Sequence, residues 1–164
     1  MHALPTRLYF IMVCGFLAAN ISIYQILFTP HVLTVSVLEG RKGSAVLLRS
    51  PRDKTLLINT GSDARILRTL GTTLPPWRRT IDAVILTDTK AGSVGELPDI
   101  ERHYHIQTRV DVGGASTPYG TDLSFDKNIL ITVISADTFS ISNGATALLI
   151  SSSTPPGTYT LVGS

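Results

Sequence analysis

Between Ile81 and Pro98 the chain reads Ile-Asp-Ala-Val-Ile-Leu-Thr-Asp-Thr-Lys-Ala-Gly-Ser-Val-Gly-Glu-Leu-Pro. Ala83 to Leu86 is a short, wholly apolar strand, the kind that is buried on both faces. Thr87 ends it, and a loop of small residues follows. A strand of this kind needs strands beside it and a layer on each side, which means a layered α/β domain. The rest of the chain supplies those parts. Val32–Leu38 alternates apolar with small polar residues. Ala45–Arg49 and Thr55–Asn59 read as two more strands, parted by a turn at Ser50-Pro51-Arg52-Asp53. Gly61 breaks the chain, and Ser62 is placed to cap a helix over Asp63–Leu70, with Ile66, Leu67 and Leu70 as its apolar face. Thr72–Thr80, with two prolines and Trp77, reads as a loop. Leu97-Pro98 starts a short helix through about Tyr104. Further strands are expected at Thr108–Val112, Leu130–Ile134, Thr146–Ser151 and Tyr159–Val162, punctuated by Gly113-Gly114 and Asn143-Gly144. The order is βββ-α-β-α-ββββ, without repeats.

The 164 residues suffice for one domain and an anchor. Leu8–Phe28 is free of formal charge and, at about 20 residues, has the length of a bilayer crossing. Asn20, Ser22 and Gln25 are its polar interruptions. A signal peptide cleaved near Ala19 is the rival reading. Arg7 before the run puts the N-terminus in the cytoplasm by the positive-inside rule. The sequence therefore predicts residues 1–29 as a cytoplasmic tip and transmembrane anchor, and 30–164 as a domain outside a cell membrane, single-pass. A net charge of +2 is too small and scattered to identify a nucleic-acid binder. Cys14 is the single cysteine, so no intramolecular disulfide and no cysteine metal site can form.

The chain has four histidines, of which only one pair has a spacing that could suit a metal. His2 and His31 flank the apolar run. His103 and His105 form a His-x-His pair, but at the end of the expected helix, beside Asp99 and Glu101, where imidazoles offset the helix dipole. Asp88 and Glu96 are carboxylates in one loop, yet Lys90 between them favours a local ion pair over acid–base work. No Gly-x-Ser-x-Gly elbow is present. Arg41, Lys42, Arg49, Arg52 and Lys54 form a modest basic cluster over one hairpin, a weak candidate for contact with nucleic-acid phosphates.

The segments Leu33–Pro51 and Lys54–Asp63, with Leu70–Ile81 and the loop after Leu86, resemble the C-terminal domain of ComEC-type competence proteins, a metallo-β-lactamase fold in DNA-uptake channels. That family opens Leu-Asp-Val-Gly-Gln-Gly-Asp-Ala, continues Leu-Leu-Ile-Asp-Thr-Gly, and carries Thr-His-x-Asp-x-Asp-His-x-Gly-Gly. Laid on these patterns, the metal-ligand positions are Asp88, Lys90, Gly92, Ser93 and Ser164. The neighbouring motif positions are Glu39, Ser44 and Asn59. Thr87 and Gly95 match the loop motif; its ligands do not. The resemblance implies an α/β fold: the transmembrane helix followed by a partial αββα sandwich, roughly its first half. It also implies a catalytically inactive binding or assembly module without cofactor; zinc would enter only if the site were active. The alternatives are a metal-dependent nuclease or phosphodiesterase in DNA uptake, and a gene fragment without a stable fold. The expected partners are the membrane through Leu8–Phe28, a second copy or a ComEC-like channel, and, weakly, nucleic acid. A half-sandwich leaves one apolar sheet face bare, and a partner would have to cover it.

Overall fold

A computed structural model describes residues 6–28, 32–40, 43–151 and 154–162. The chain divides into two units, Met1–Pro30 and His31–Ser164. The first holds α1 (Thr6–Phe28). Among the described residues no helix is long and apolar enough to cross a membrane. The expectation of a transmembrane anchor, and of a single-pass membrane protein with an external domain, is corrected accordingly. Asn20, Ser22 and Gln25 interrupt the second half of α1. The uninterrupted apolar run is Leu8–Ala19, about 18 Å at 1.5 Å per residue, against a hydrocarbon core of about 30 Å.

The second unit is a mixed, sheet-rich α/β fold. Its strands are β1 (Val32–Glu39), β2 (Ser44–Arg49), β3 (Thr55–Ile58), β4 (Thr80–Leu86), β5 (His105–Asp111), β6 (Asp122–Asp126), β7 (Ile129–Ser135), β8 (Thr138–Asn143), β9 (Thr146–Ser151) and β10 (Gly157–Val162). Its helices are α2 (Ala64–Thr73), the short α3 (Ala91–Val94) and α4 (Leu97–His103). One six-stranded sheet has the order β10-β1-β2-β3-β4-β5, and a four-stranded sheet runs β6-β7-β8-β9. β10 to β3 pair antiparallel, whereas β3, β4 and β5 are parallel neighbours. The second sheet is an antiparallel meander.

The two-residue period of the strands sorts their side chains into two cores. Leu33, Val35, Val37, Val46, Leu48, Leu56, Ile58 and Ile85 point to one side, where they meet Ile129, Ile131, Val133, Phe139, Ile141 and Ile150 of the second sheet. Leu38, Ala45, Leu47, Leu57, Val84 and Leu86 point to the other, against Ile66 and Leu70 of α2 and Leu97 and Ile100 of α4. The fold is therefore helices, sheet, sheet. This corrects the expected first half of a sandwich with one bare face: β6 to β9 form the second layer, and β10 returns to the first sheet beside β1. β6 and β8 supply two strands the sequence did not suggest. The need for a partner to cover that inner face disappears with it. The cap of α2 also shifts by one residue: Asp63, not Ser62, is the N-cap, and its carboxylate accepts from the Arg65 N–H at 3.1 Å.

Ile131 is fully buried between the sheets, whereas Leu149, on the outer side of the second sheet, is 61% exposed. Ile131→Ala should cost about 2–5 kcal/mol by cavity formation. Leu149→Ala should stay within about 0.5 kcal/mol. Urea melts of residues 1–164 measure both, and equal effects would mean that the two sheets do not share a core.

Candidate functional site

The end of β3 and the end of β4 lie side by side, and Asn59 joins them. It holds a left-handed backbone, φ 58°, which asparagine tolerates better than most residues. Its side-chain oxygen accepts the Thr87 N–H at 2.9 Å, and its amide nitrogen donates to Thr87 Oγ1 at 3.0 Å. The Thr87 hydroxyl donates to the Ala136 carbonyl at 2.6 Å, and so reaches the turn between β7 and β8 in the opposite sheet. Tyr119 adds a bond from its hydroxyl to the Thr87 carbonyl at 2.7 Å. The next two residues hold the loop after β4 in the same way. Thr60 donates through its N–H and its hydroxyl to the Ser93 carbonyl, at 2.7 and 3.0 Å. The Gly61 carbonyl accepts from the Glu96 N–H at 3.0 Å. The path of the loop from Asp88 to Glu96 is thus fixed largely through backbone atoms.

This loop walls a cavity of about 220 Å³ at the mouth of the two sheets. Five positions taken from the motifs converge on it: Ser44, Asn59, Asp88, Lys90 and Ser93. Asp137 and Ser151 join them from the second sheet. Sequence reading missed these two, because nothing near them marks a motif and the β7–β8 turn was not foreseen. Glu39 faces a neighbouring cavity, which Ser44 shares. Gly92 falls within α3. Ser164, Arg41, Lys42, His2 and His31 lie outside the described residues.

Zinc binds to imidazole, thiolate and carboxylate donors, usually four of them at about 2.0–2.3 Å. Among the described residues no three His, Cys, Asp or Glu side chains gather closely enough to hold a metal ion. The cavity offers Asp88 and Asp137 as carboxylates and no imidazole. Asp88 is already engaged: one oxygen accepts the Lys90 N–H at 2.9 Å, and the Lys90 ammonium lies 3.8 Å from the other. Two carboxylates without an imidazole or thiolate, one of them beside the Lys90 cation, fall short of the donors zinc needs, so these residues do not fit zinc.

The other candidates are dispersed. Glu96 does not line the cavity that holds Asp88, and its carboxyl feels Asp99 and Asp63. Burial, then Asp99 and Asp63, push its carboxyl up, and its buried Oε2 has no hydrogen-bond partner among the described residues. His103 ends α4 with Nδ1 2.8 Å from the Asp99 carbonyl, while His105 begins β5, so the two imidazoles belong to different elements. Of the basic hairpin, Arg49 pairs with Asp53 at 2.7 Å. Arg52 and Lys54 lie 3.5 and 3.8 Å from one oxygen of Asp126 on β6. The Asp126 side chain is 3% exposed. Burial alone would raise its carboxyl, but the Ser50 hydroxyl, the Lys127 N–H and the Lys54 and Arg52 cations prevail and hold it below the ordinary carboxylate value. These two cations tie the first sheet to the second.

No protein-family model matches the chain, and no curated protein matches it. Solved structures do. One is a metallo-beta-lactamase from Cronobacter sakazakii (Enterobacter sakazakii) with a HARLDQ motif, at 13% identity and a TM-score of 0.53, covering 83% of this chain and 64% of that one. Another is a mutant in the HARLDQ motif of a metallo-beta-lactamase from the same organism, at 13% identity and a TM-score of 0.52, covering 70% and 59%. The chain spans about three-fifths of the length of these structures. At that identity the likeness is one of fold, and the domain has a metallo-β-lactamase-like fold.

Asn59→Ala removes the amide bonds to Thr87 and puts alanine at a positive φ. It should cost about 2–4 kcal/mol in a urea melt; a cost under about 0.5 kcal/mol would mean the amide pins nothing. Asp126 has a lowered folded pKa, so its stabilising effect is present above the unfolded value, about 3.9, and is lost as pH falls through the folded one. The stability gap between wild type and Asp126→Asn should be full at neutral pH and shrink in acid below about pH 4. Parallel pH curves would exclude the buried ion cluster. For Glu96 the sign is opposite. Its raised pKa means that the carboxyl is tolerated best below the unfolded value and becomes a liability as pH rises through the folded one. Glu96→Gln should therefore raise the melting temperature at neutral pH and lose that advantage below about pH 4.

Proposed function

We propose that this metallo-β-lactamase-like domain is a catalytically inactive relative of the ComEC-type C-terminal domain, and that it acts as a binding or assembly module. The observation that carries this reading is the engagement of Asp88 by the N–H and ammonium of Lys90, inside a cavity whose other motif positions are Ser44, Asn59 and Ser93. Hydrolysis on this fold needs a metal to generate a nucleophile from water and to polarise the scissile group. The hydroxyls, the amide and the two carboxylates of this cavity, one of them paired with Lys90, do neither by themselves. The kinship rests on the motif outline: Leu-Leu-Ile-Asn-Thr-Gly at 56–61 and Thr87 before the loop. Departure from a His-rich spelling is not peculiar to this chain, since the solved metallo-beta-lactamase it is similar to is itself described by a HARLDQ motif. A cavity of about 220 Å³ with hydroxyls, an amide and two carboxylates remains able to bind a small polar group.

The purified chain, titrated with zinc and assayed on a phosphodiester and on DNA, tests the reading. The expected outcome is no zinc-dependent rise in melting temperature and no hydrolysis. Stoichiometric zinc, or turnover that Asp88→Asn and Asp137→Asn abolish, would sink it.

A further inference from the structure

The space between the two sheets is not filled everywhere. In the ladder of the first sheet Ala83 stands between Leu56 and Thr108. The next row, Ile58, Ile85 and Val110, carries larger side chains. The small side chains of Ala83 and Thr108 leave room beneath Leu123 and Phe125 of β6 and Ile131 of β7, as a cavity of about 400 Å³. That volume lies within the range of small-molecule sites, about 300–1,000 Å³. The cavity shares no lining residue with the one around Asp88.

Its floor is apolar and its rim is polar, but the charged groups of the rim differ in what they have left to offer. Asp82 accepts from the Thr55 N–H at 2.8 Å, from the Thr55 hydroxyl at 3.1 Å and from Arg78 at 3.0 Å. Asp122 accepts from the Thr132 hydroxyl. Lys54 stands otherwise. A lysine ammonium has three N–H donors, and this one lies 3.8 Å from Asp126 Oδ1, beyond hydrogen-bond distance. Asp126 is served without it: the Lys127 N–H at 2.9 Å and the Ser50 hydroxyl reach its carboxylate, and Arg52 lies 3.5 Å from the same oxygen. The rim therefore combines acids already engaged with one cation that has donors to spare. Asp122 begins β6 and Asp126 ends it, so Asp122 and Lys54 stand at opposite ends of that strand.

We propose that this cavity binds a small monocarboxylate with an apolar body, the carboxylate on the Lys54 ammonium and the body against Leu56, Ala83, Leu123 and Ile131. A charge-assisted hydrogen bond fixes the head, and removal of apolar surface from water holds the body. A cationic head would have to displace the donors that Asp82 and Asp122 already hold. A dianion would meet Asp82, Asp122 and Asp126 at once. The site stands apart from the reading of the Asp88 cavity, whose motif positions do not line it.

Octanoate and phenylacetate, titrated by calorimetry into the full chain, present an acyl chain and a ring on the same carboxylate. At least one should bind saturably, a single molecule per chain. Lys54→Met should weaken that binding about tenfold, the loss expected for a hydrogen bond to a charged group. Ala83→Leu fills the cavity and should abolish binding while the melting temperature is kept. Saturable binding of neither acid overturns the proposal. So does octylammonium bound as tightly as octanoate, or undiminished binding by Lys54→Met. Binding retained by Ala83→Leu also overturns it, and would place the ligand on another surface such as the exposed Phe10, Phe16 and Leu17. If Ala83→Leu does not fold, Thr108→Phe, on the exposed strand β5, closes the same mouth. Undiminished binding there overturns the proposal equally.

Discussion

Burial of β1 to β4 on both faces is the constraint from which the rest of the structure follows. Leu47, Leu48, Leu56, Leu57 and Val84 are each 2% exposed or less, and they point alternately up and down. A sheet with that pattern is unstable in water until both faces are covered. α2 and α4 supply one cover and β7 to β9 supply the other. At about 25 cal/mol for each Å² of apolar surface removed from water, this double burial outweighs any single polar contact in the domain. The polar contacts fix how the layers meet. Asp126 with Arg52 and Lys54, and Thr87 with Ala136, are the points at which one sheet is registered on the other.

Legibility in the sequence followed the strength of the local signal. β1 to β4 were readable because runs such as Leu56–Ile58 and Ala83–Leu86 have no rival reading. α4 was placed almost to the residue by Leu97-Pro98. β6 was not visible, because Asp-Leu-Ser-Phe-Asp has only two apolar residues and an acid at each end. β8 did carry the signal. Thr-Phe-Ser-Ile-Ser-Asn alternates strictly, and Phe139 and Ile141 are buried, but with only two apolar residues among hydroxyls it drew no assignment. Missing these two strands is what made the second layer seem absent. The apolar run of α1 misled in the opposite way, since absence of charge is not the same as continuous hydrophobicity.

The site was legible as a place more than as a chemistry. Motif positions scattered from Ser44 to Ser93 come together around one cavity, because the ends of β2, β3 and β4 share one rim of the sheet. Asp137 and Ser151 were beyond reach, since they arrive from strands whose placement depends on tertiary packing. The basic hairpin shows the converse. Arg52 and Lys54 look like a free charged patch in sequence, but Asp126, more than seventy positions away, lies beside both and offsets part of their charge. Charge counted along a chain overstates what a folded surface offers a polyanion.

The loop from Asp88 to Glu96 is held by the side chains of Asn59, Thr60 and Thr87 and by backbone carbonyls, while the residues at positions 88, 90 and 93 contribute no bond across to β3 through their own side chains. Architecture and reactivity are therefore written in separate letters. Substitutions at positions 88, 90 and 93 can change what the cavity binds without loosening the loop that walls it. Folding stability then says little about what the cavity holds, and an ordered cradle stays open to a change of occupant.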